Sequence, residues 1–182
     1  EIQLLEAKLL EAKQAELVNY MSLARTSISH IYGRAAPDDE AAKLRVAQVL
    51  SAMNYGKDGF FFVYDYDGNN LVSPKQTYLI GNNWLEAVDR NGENVVATLI
   101  NKARQGGGYH RYMWPKPSSG QTEAMYSYVI GLQDWRWAVG TGIWIDDVFR
   151  DIAAARAETE VRIRNTFIWI VVITLAALVA VF

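Results

Sequence analysis

Cysteine is absent from the 182 residues, and histidine occurs only twice. The first absence removes disulfides, thiolate zinc sites and thiol nucleophiles together. The second leaves little for an imidazole metal site. Neither sign of charge is in excess: 18 basic and 20 acidic side chains leave a formal net charge of −2, without the basic footprint of a nucleic-acid-binding surface. Disorder is excluded too, because 51% of the residues are hydrophobic and 12% aromatic, ample for a core. A chain of this length suits one domain.

Catalytic patterns are also missing. There is no G-x-S-x-G elbow, no pair of histidines at helical spacing and no specific carboxylate pair. Gly106-Gly107-Gly108 follows a predicted helix and precedes a predicted strand, the reverse of a phosphate-binding loop. Asp65-Tyr66-Asp67-Gly68-Asn69 has the oxygen-rich look of a calcium loop. Its glycine stands fourth rather than sixth, however, and the twelfth residue is Gln76 rather than Glu. A hairpin turn is the preferred reading. The sequence thus predicts no enzyme, no metal and no cofactor.

What is present is unevenly spread. Residues 167–182 contain no charge and one polar residue, Thr174. A membrane span needs about 20 apolar residues, and no Gly or Pro ends this run, so it reads as a truncated transmembrane helix. The chain also starts inside a helical pattern, and the expectation is a fragment of a membrane protein.

Residues 1–32 read as one long helix: Ile2, Leu5, Leu9, Ala12, Ala15, Val18, Met21, Ala24, Ile28 and Ile31 recur at spacings of three and four. Its length predicts a partner helix beyond the domain, in the same chain or in a second copy, and a homodimer through the long helices is the expectation. Gly33 to Pro37 breaks it, and Asp38 or Asp39 can cap a second helix to Met53. Strands are predicted at 60–64 and from Leu71 around the Asp67-Gly68 turn, then at 108–114, 123–130 and 135–144, with a helix at 92–104 between the two groups. Asp146 and Asp147 sit at a predicted N-cap of a last helix. The fold class is α+β: a five-stranded antiparallel sheet with helices on one side. The divisions are 1–37, long helix and break; 38–146, the sheet domain; 147–166, an exit helix; and 167–182, the membrane run.

Tyrosine and tryptophan crowd the strands. Such side chains need a polar partner when buried, and phenols converging on one sheet face can line a small pocket. Alternation puts His110, Tyr112 and Trp114 on one face, and likewise Tyr126 and Tyr128. The pocket is expected on the face bearing Tyr112, Trp114 and Tyr128. The irregular segment 75–90, with Tyr78, Asn82, Asn83 and Trp84, is expected to close over it.

The string FFFVYDYDGNNLVSP, then GGGYHRYMWPKP, YSYV and WRWAVGTGIWIDDV, resembles in order and spacing the single Cache domain (second subtype) of bacterial transmembrane receptors over about 40–150. The resemblance implies a PAS-like sensor outside the inner membrane that recognises small molecules, often short-chain carboxylates. Its output is most often a chemotaxis module, otherwise a histidine kinase or a cyclic-dinucleotide enzyme. It carries a ligand role over to Tyr64, Ser73, Tyr112, Trp114, Lys116 and Tyr128, and the pocket reading adds Trp84 and Tyr126. Two positions depart from the family pattern. Ser73 stands where a His is common before the strand's Pro, and Met125 where a Lys is common three residues before Tyr128. A carboxylate would then need Arg111, Lys116, His110 or backbone amides. Otherwise the ligand is neutral or arrives on a binding protein. Arg162 and Arg164 before the apolar run would place that flank in the cytoplasm, whereas the resemblance puts the domain outside and the apolar run pointing inward, and the expectation follows the resemblance. No nucleic-acid partner is expected.

Overall fold

The computed structural model describes residues 2–181; the side chains of 2–6 and of most of 151–160 and 171–181 lie outside what is described. Two compact units divide the chain, residues 1–145 and 146–182.

In the first unit, α1 (Ile2–Tyr32) is the predicted long helix. Its buried stripe is Leu17, Met21, Ala24 and Ile28, so Leu17 takes the inward place expected for Val18. Helix α2 (Glu40–Ala52) starts where Asp39 accepts the Ala42 N–H at 2.8 Å, a side-chain N-cap. Then come β1 (Asn54–Tyr55), β2 (Gly59–Asp65) and β3 (Asn70–Val72), a 3₁₀ turn at Thr77–Leu79, α3 (Val95–Arg104), β4 (Gly108–Pro115), β5 (Thr122–Leu132) and β6 (Trp137–Trp144). The sheet is antiparallel, in the order β1-β2-β6-β5-β4, with β3 also on β2. The sixth strand, β1, has no counterpart among the five strands expected from the sequence. Two residues are too few for a sequence pattern, and it pairs only Phe60 and Gly59. The Asp65 turn is a hairpin: its carboxylate accepts the Asp67 and Asn69 N–H groups at 3.0 and 2.9 Å.

Helices cover both faces of the sheet, not one. Phe61, Val63, Trp137 and Val139 pack with α1 and α2, while Phe60, Phe62, Tyr64 and Val129 pack with α3. This explains the unbroken apolar run at 60–64, which a sheet wet on one side would have interrupted with polar residues.

The second unit belongs to α4 (Ile145–Val181). Asp146 and Asp147 lie in its first turn rather than at a cap, where negative charge suits the helix dipole. Apolar side chains at Val161, Ile163, Phe167, Ile168, Trp169, Ile170 and Ile173 are exposed. Among the described residues no helix is long and apolar enough to cross a membrane. Most side chains of the 167–182 run expected to do so lie outside those described.

Candidate functional site

The site lies between the sheet and α3. On the α3 side, β6 presents Ala138, Gly140 and Gly142, and β2 and β5 lean side chains over that low floor. A Cβ on Gly140 would meet the Phe62 ring at 2.2 Å, and one on Gly142 would meet Met125 and Ser127 at 2.5 Å. The cavity is lined by Phe60, Phe62 and Tyr64 from β2, Tyr112 and Trp114 from β4, Met125 from β5 and Val95, Val96 and Leu99 from α3. Ser73, Gln76 and Leu79 close it. Its volume is about 10 Å³, close to what one water requires. A ligand of several heavy atoms therefore has to displace part of the wall.

The closing segment is tied to the sheet at several points. Gln76 accepts from Trp114 Nε1 at 3.0 Å and donates to the Pro115 carbonyl at 2.8 Å. The Asn70 backbone accepts from Gly81 N at 2.8 Å and donates to the Asn82 carbonyl at 3.0 Å. Asp89 accepts the Met113 N–H at 2.9 Å, which satisfies a donor on the edge strand β4. Trp84, expected to cap a ligand, instead donates to the Leu79 carbonyl at 2.9 Å and packs on the outer side of the core. Tyr78 is 60% exposed, so the inner cover is Gln76 and Leu79.

The polar groups of the wall are neutral. Burial pushes the Tyr64 and Tyr112 phenols well above their ordinary value, offset in part by Asn70 beside Tyr64 and by Ser127 at Tyr112. Both therefore stay protonated and able to donate. Tyr112 and Ser127 share a hydrogen bond of 2.9 Å. Ser73 is 1% exposed and its hydroxyl has no partner among the described residues. No Lys, Arg or His is among the lining residues described.

Of the sequence-predicted site residues, the structure brings Tyr64, Ser73, Tyr112 and Trp114 together. It separates Tyr126 and Tyr128, because the β4–β5 register opposes Tyr112 to Met125 and Tyr128 to Tyr109. Partners across a ladder share a face, so Met125 faces the cavity. Tyr126 and Tyr128 face α1, where Gln14 Nε2 donates to the Tyr126 hydroxyl at 2.6 Å. Lys116 does not line the cavity: it is 4% exposed and its ammonium pairs with Glu123 at 3.3 Å. Arg111 opposes Tyr126 on the α1 face. His110 stacks on Tyr112 at 5.2 Å outside the lining, and burial lowers its pKa. Sequence reasoning missed Gln76, Met125 as a wall residue and the α3 wall. The alternating Ala138, Gly140 and Gly142 were the available signal, since small residues two apart mark one low sheet face.

Residues 9–158 match the sequence model of the family described as Single Cache domain 2. The sensor histidine kinase MctS of Rhizobium johnstonii is 47% identical over 100% of this chain and 39% of its own length. The methyl-accepting chemotaxis protein CtpM of Pseudomonas aeruginosa is 29% identical over 86% of this chain and 28% of its length. The chain thus spans about two fifths or less of these curated relatives. Among solved structures, a methyl-accepting chemotaxis protein from Vibrio parahaemolyticus superposes with a TM-score of 0.73 at 34% identity, covering 79% of this chain and 95% of that one.

Proposed function

This chain belongs to the single Cache domain 2 family, a sensor module of chemoreceptors and sensor kinases, and from that premise we propose that it is the extracytoplasmic ligand-sensing part of a membrane receptor. The observation that carries this reading is the cavity between β2, β4, β5 and α3. It is mostly apolar and supplied with neutral hydrogen-bonding groups at Tyr64, Ser73, Gln76 and Tyr112. Such a wall suits a small organic molecule with an oxygen-bearing head and a short apolar tail, a short-chain carboxylate or a similar polar metabolite. A carboxylate here is held by phenol and hydroxyl donors rather than by a cation.

Of the three outputs named from the sequence, a chemotaxis module first, then a histidine kinase or a cyclic-dinucleotide enzyme, the kinase is now favoured. The relative at 47% identity spans this whole chain and is a kinase, whereas the chemotaxis relative at 29% spans less of it. Strand β6 ends at Trp144 and α4 begins at Ile145, leaving no flexible residues to absorb a ligand-driven shift. Homodimerisation through α1 and anchoring through residues 167–182 complete the proposal.

A thermal-shift screen of small metabolites tests the core of it. A true ligand at a hundred times its Kd adds roughly 2.7 kcal/mol to stability. Silence across the library would favour a structural module without a ligand. Because the chain lacks cysteine, a single cysteine introduced at an exposed position of the domain tests its placement. Labelling of whole cells by an impermeant reagent is expected, and protection would put the domain inside.

A further inference from the structure

One buried side chain beside the cavity lies near the Tyr64 phenol without a well-formed hydrogen bond to it. Asn70 is 0% exposed, and neither its Nδ2 nor its Oδ1 has a hydrogen-bond partner of good geometry among the described residues. Its backbone, by contrast, is fully occupied in holding residues 81 and 82. A register shift between Val63 and Tyr64 sets Asn70 opposite Tyr64, on the cavity face. Three residues on, Ser73 puts a second unpartnered polar group, a hydroxyl, into the cavity wall. A buried amide left unpaired is costly, and such groups are retained where something satisfies them.

Resting on the sensor reading above, we infer that Asn70 and Ser73 form an uncharged clamp that selects ligands bearing a hydroxyl or amino donor next to a carbonyl or carboxylate oxygen. Asn70 Nδ2 can only donate and Oδ1 can only accept, while the Ser73 hydroxyl does either. A simple fatty acid anion offers acceptors alone and leaves Oδ1 unpaired. A 2-hydroxy acid satisfies both amide atoms, with its oxygen on Nδ2 and its hydroxyl on Oδ1. The cavity must widen for any such molecule, and widening toward Asn70 is the direction that gains hydrogen bonds.

Three acids of equal carbon count separate these cases: propionate, pyruvate and lactate, titrated calorimetrically into the 182-residue chain. Lactate is expected to bind at least about 10-fold tighter than either of the others, since a site built to pair a hydroxyl rejects the analogue lacking it. In Asn70→Leu, similar in size and without polar atoms, that preference should vanish through loss of lactate affinity. Asn70→Ala, which adds no bulk, makes the same comparison should the leucine variant fail to fold. Equal binding of the three acids by the unaltered chain would overturn the clamp while leaving the sensor reading intact. So would a lactate preference that survives removal of the amide. If none of the three binds, the clamp is likewise overturned, and the sensor reading falls with it only if the wider metabolite screen is silent too.

Discussion

Tyr112 and Ser127 meet diagonally across β4 and β5 with both side chains buried, and their shared hydrogen bond satisfies two groups at once. Tyr112→Phe strands the Ser127 hydroxyl and should cost about 1–3 kcal/mol in chemical denaturation, while adding Ser127→Ala should return part of that loss. A double variant as unstable as the sum of the singles would mean that the two groups are independent. Tyr128→Phe is expected to leave ligand affinity unchanged, because Tyr128 faces α1; a clear loss in a binding titration would return it to the site. Burial also holds the Tyr55, Tyr64 and Tyr112 phenols above their ordinary pKa of 10.0. An unfolded chain releases these protons near pH 10 and the folded chain retains them. Their contribution is therefore complete below pH 10 and is lost as pH rises further. Phenolate absorbance should rise in step with unfolding for these three; early titration in the folded state would contradict their enclosure. At this scale the sequence was a partial guide. It marked Tyr64, Ser73, Tyr112 and Trp114 by type, but the face of a side chain relative to the next strand depends on register. One residue of register decides between Tyr128 and Met125.

Among the elements, β6 does the most to shape the site. Phe62 lies directly opposite Gly140, and its ring occupies the space a side chain there would need. Gly140→Ala is expected to cost about 1–3 kcal/mol and to lower ligand affinity as the ring swings into the cavity. Unchanged melting and binding would show that the ring has room elsewhere. Helices α1, α2 and α3 were legible from their apolar spacing and breakers, as were five of the strands. The covering of both sheet faces was not read, although the apolar run at Phe60 to Tyr64 contains that information. Lys116 was misleading for a different reason. Its charge suggested a ligand, while the fold uses it against Glu123 beside the β4–β5 turn, a pairing 7 residues apart in sequence that only the hairpin geometry creates.

For the whole molecule, the direct passage from β6 into α4 bears on signalling. Three glycines inserted between Trp144 and Ile145 should leave ligand affinity intact and abolish ligand-dependent phosphorylation in a chimera carrying the kinase portion of the Rhizobium relative. A fully responsive insertion would mean that the signal leaves by another route, α1 being the obvious one. The irregularity in the β2–β3 pair has a consequence of another kind. Val63 pairs with Val72 but Tyr64 pairs with Asn70, so Leu71 is the extra residue of a bulge. A regular ladder would set Asn70 against Asp65, on the opposite face. A shift of register that pairs Leu71 with Tyr64 would thus withdraw an amide from beneath the cavity without altering any side chain of its wall. A receptor lineage could exchange one class of nutrient for another by re-registering a three-residue strand, a change that counting substitutions at wall positions would overlook.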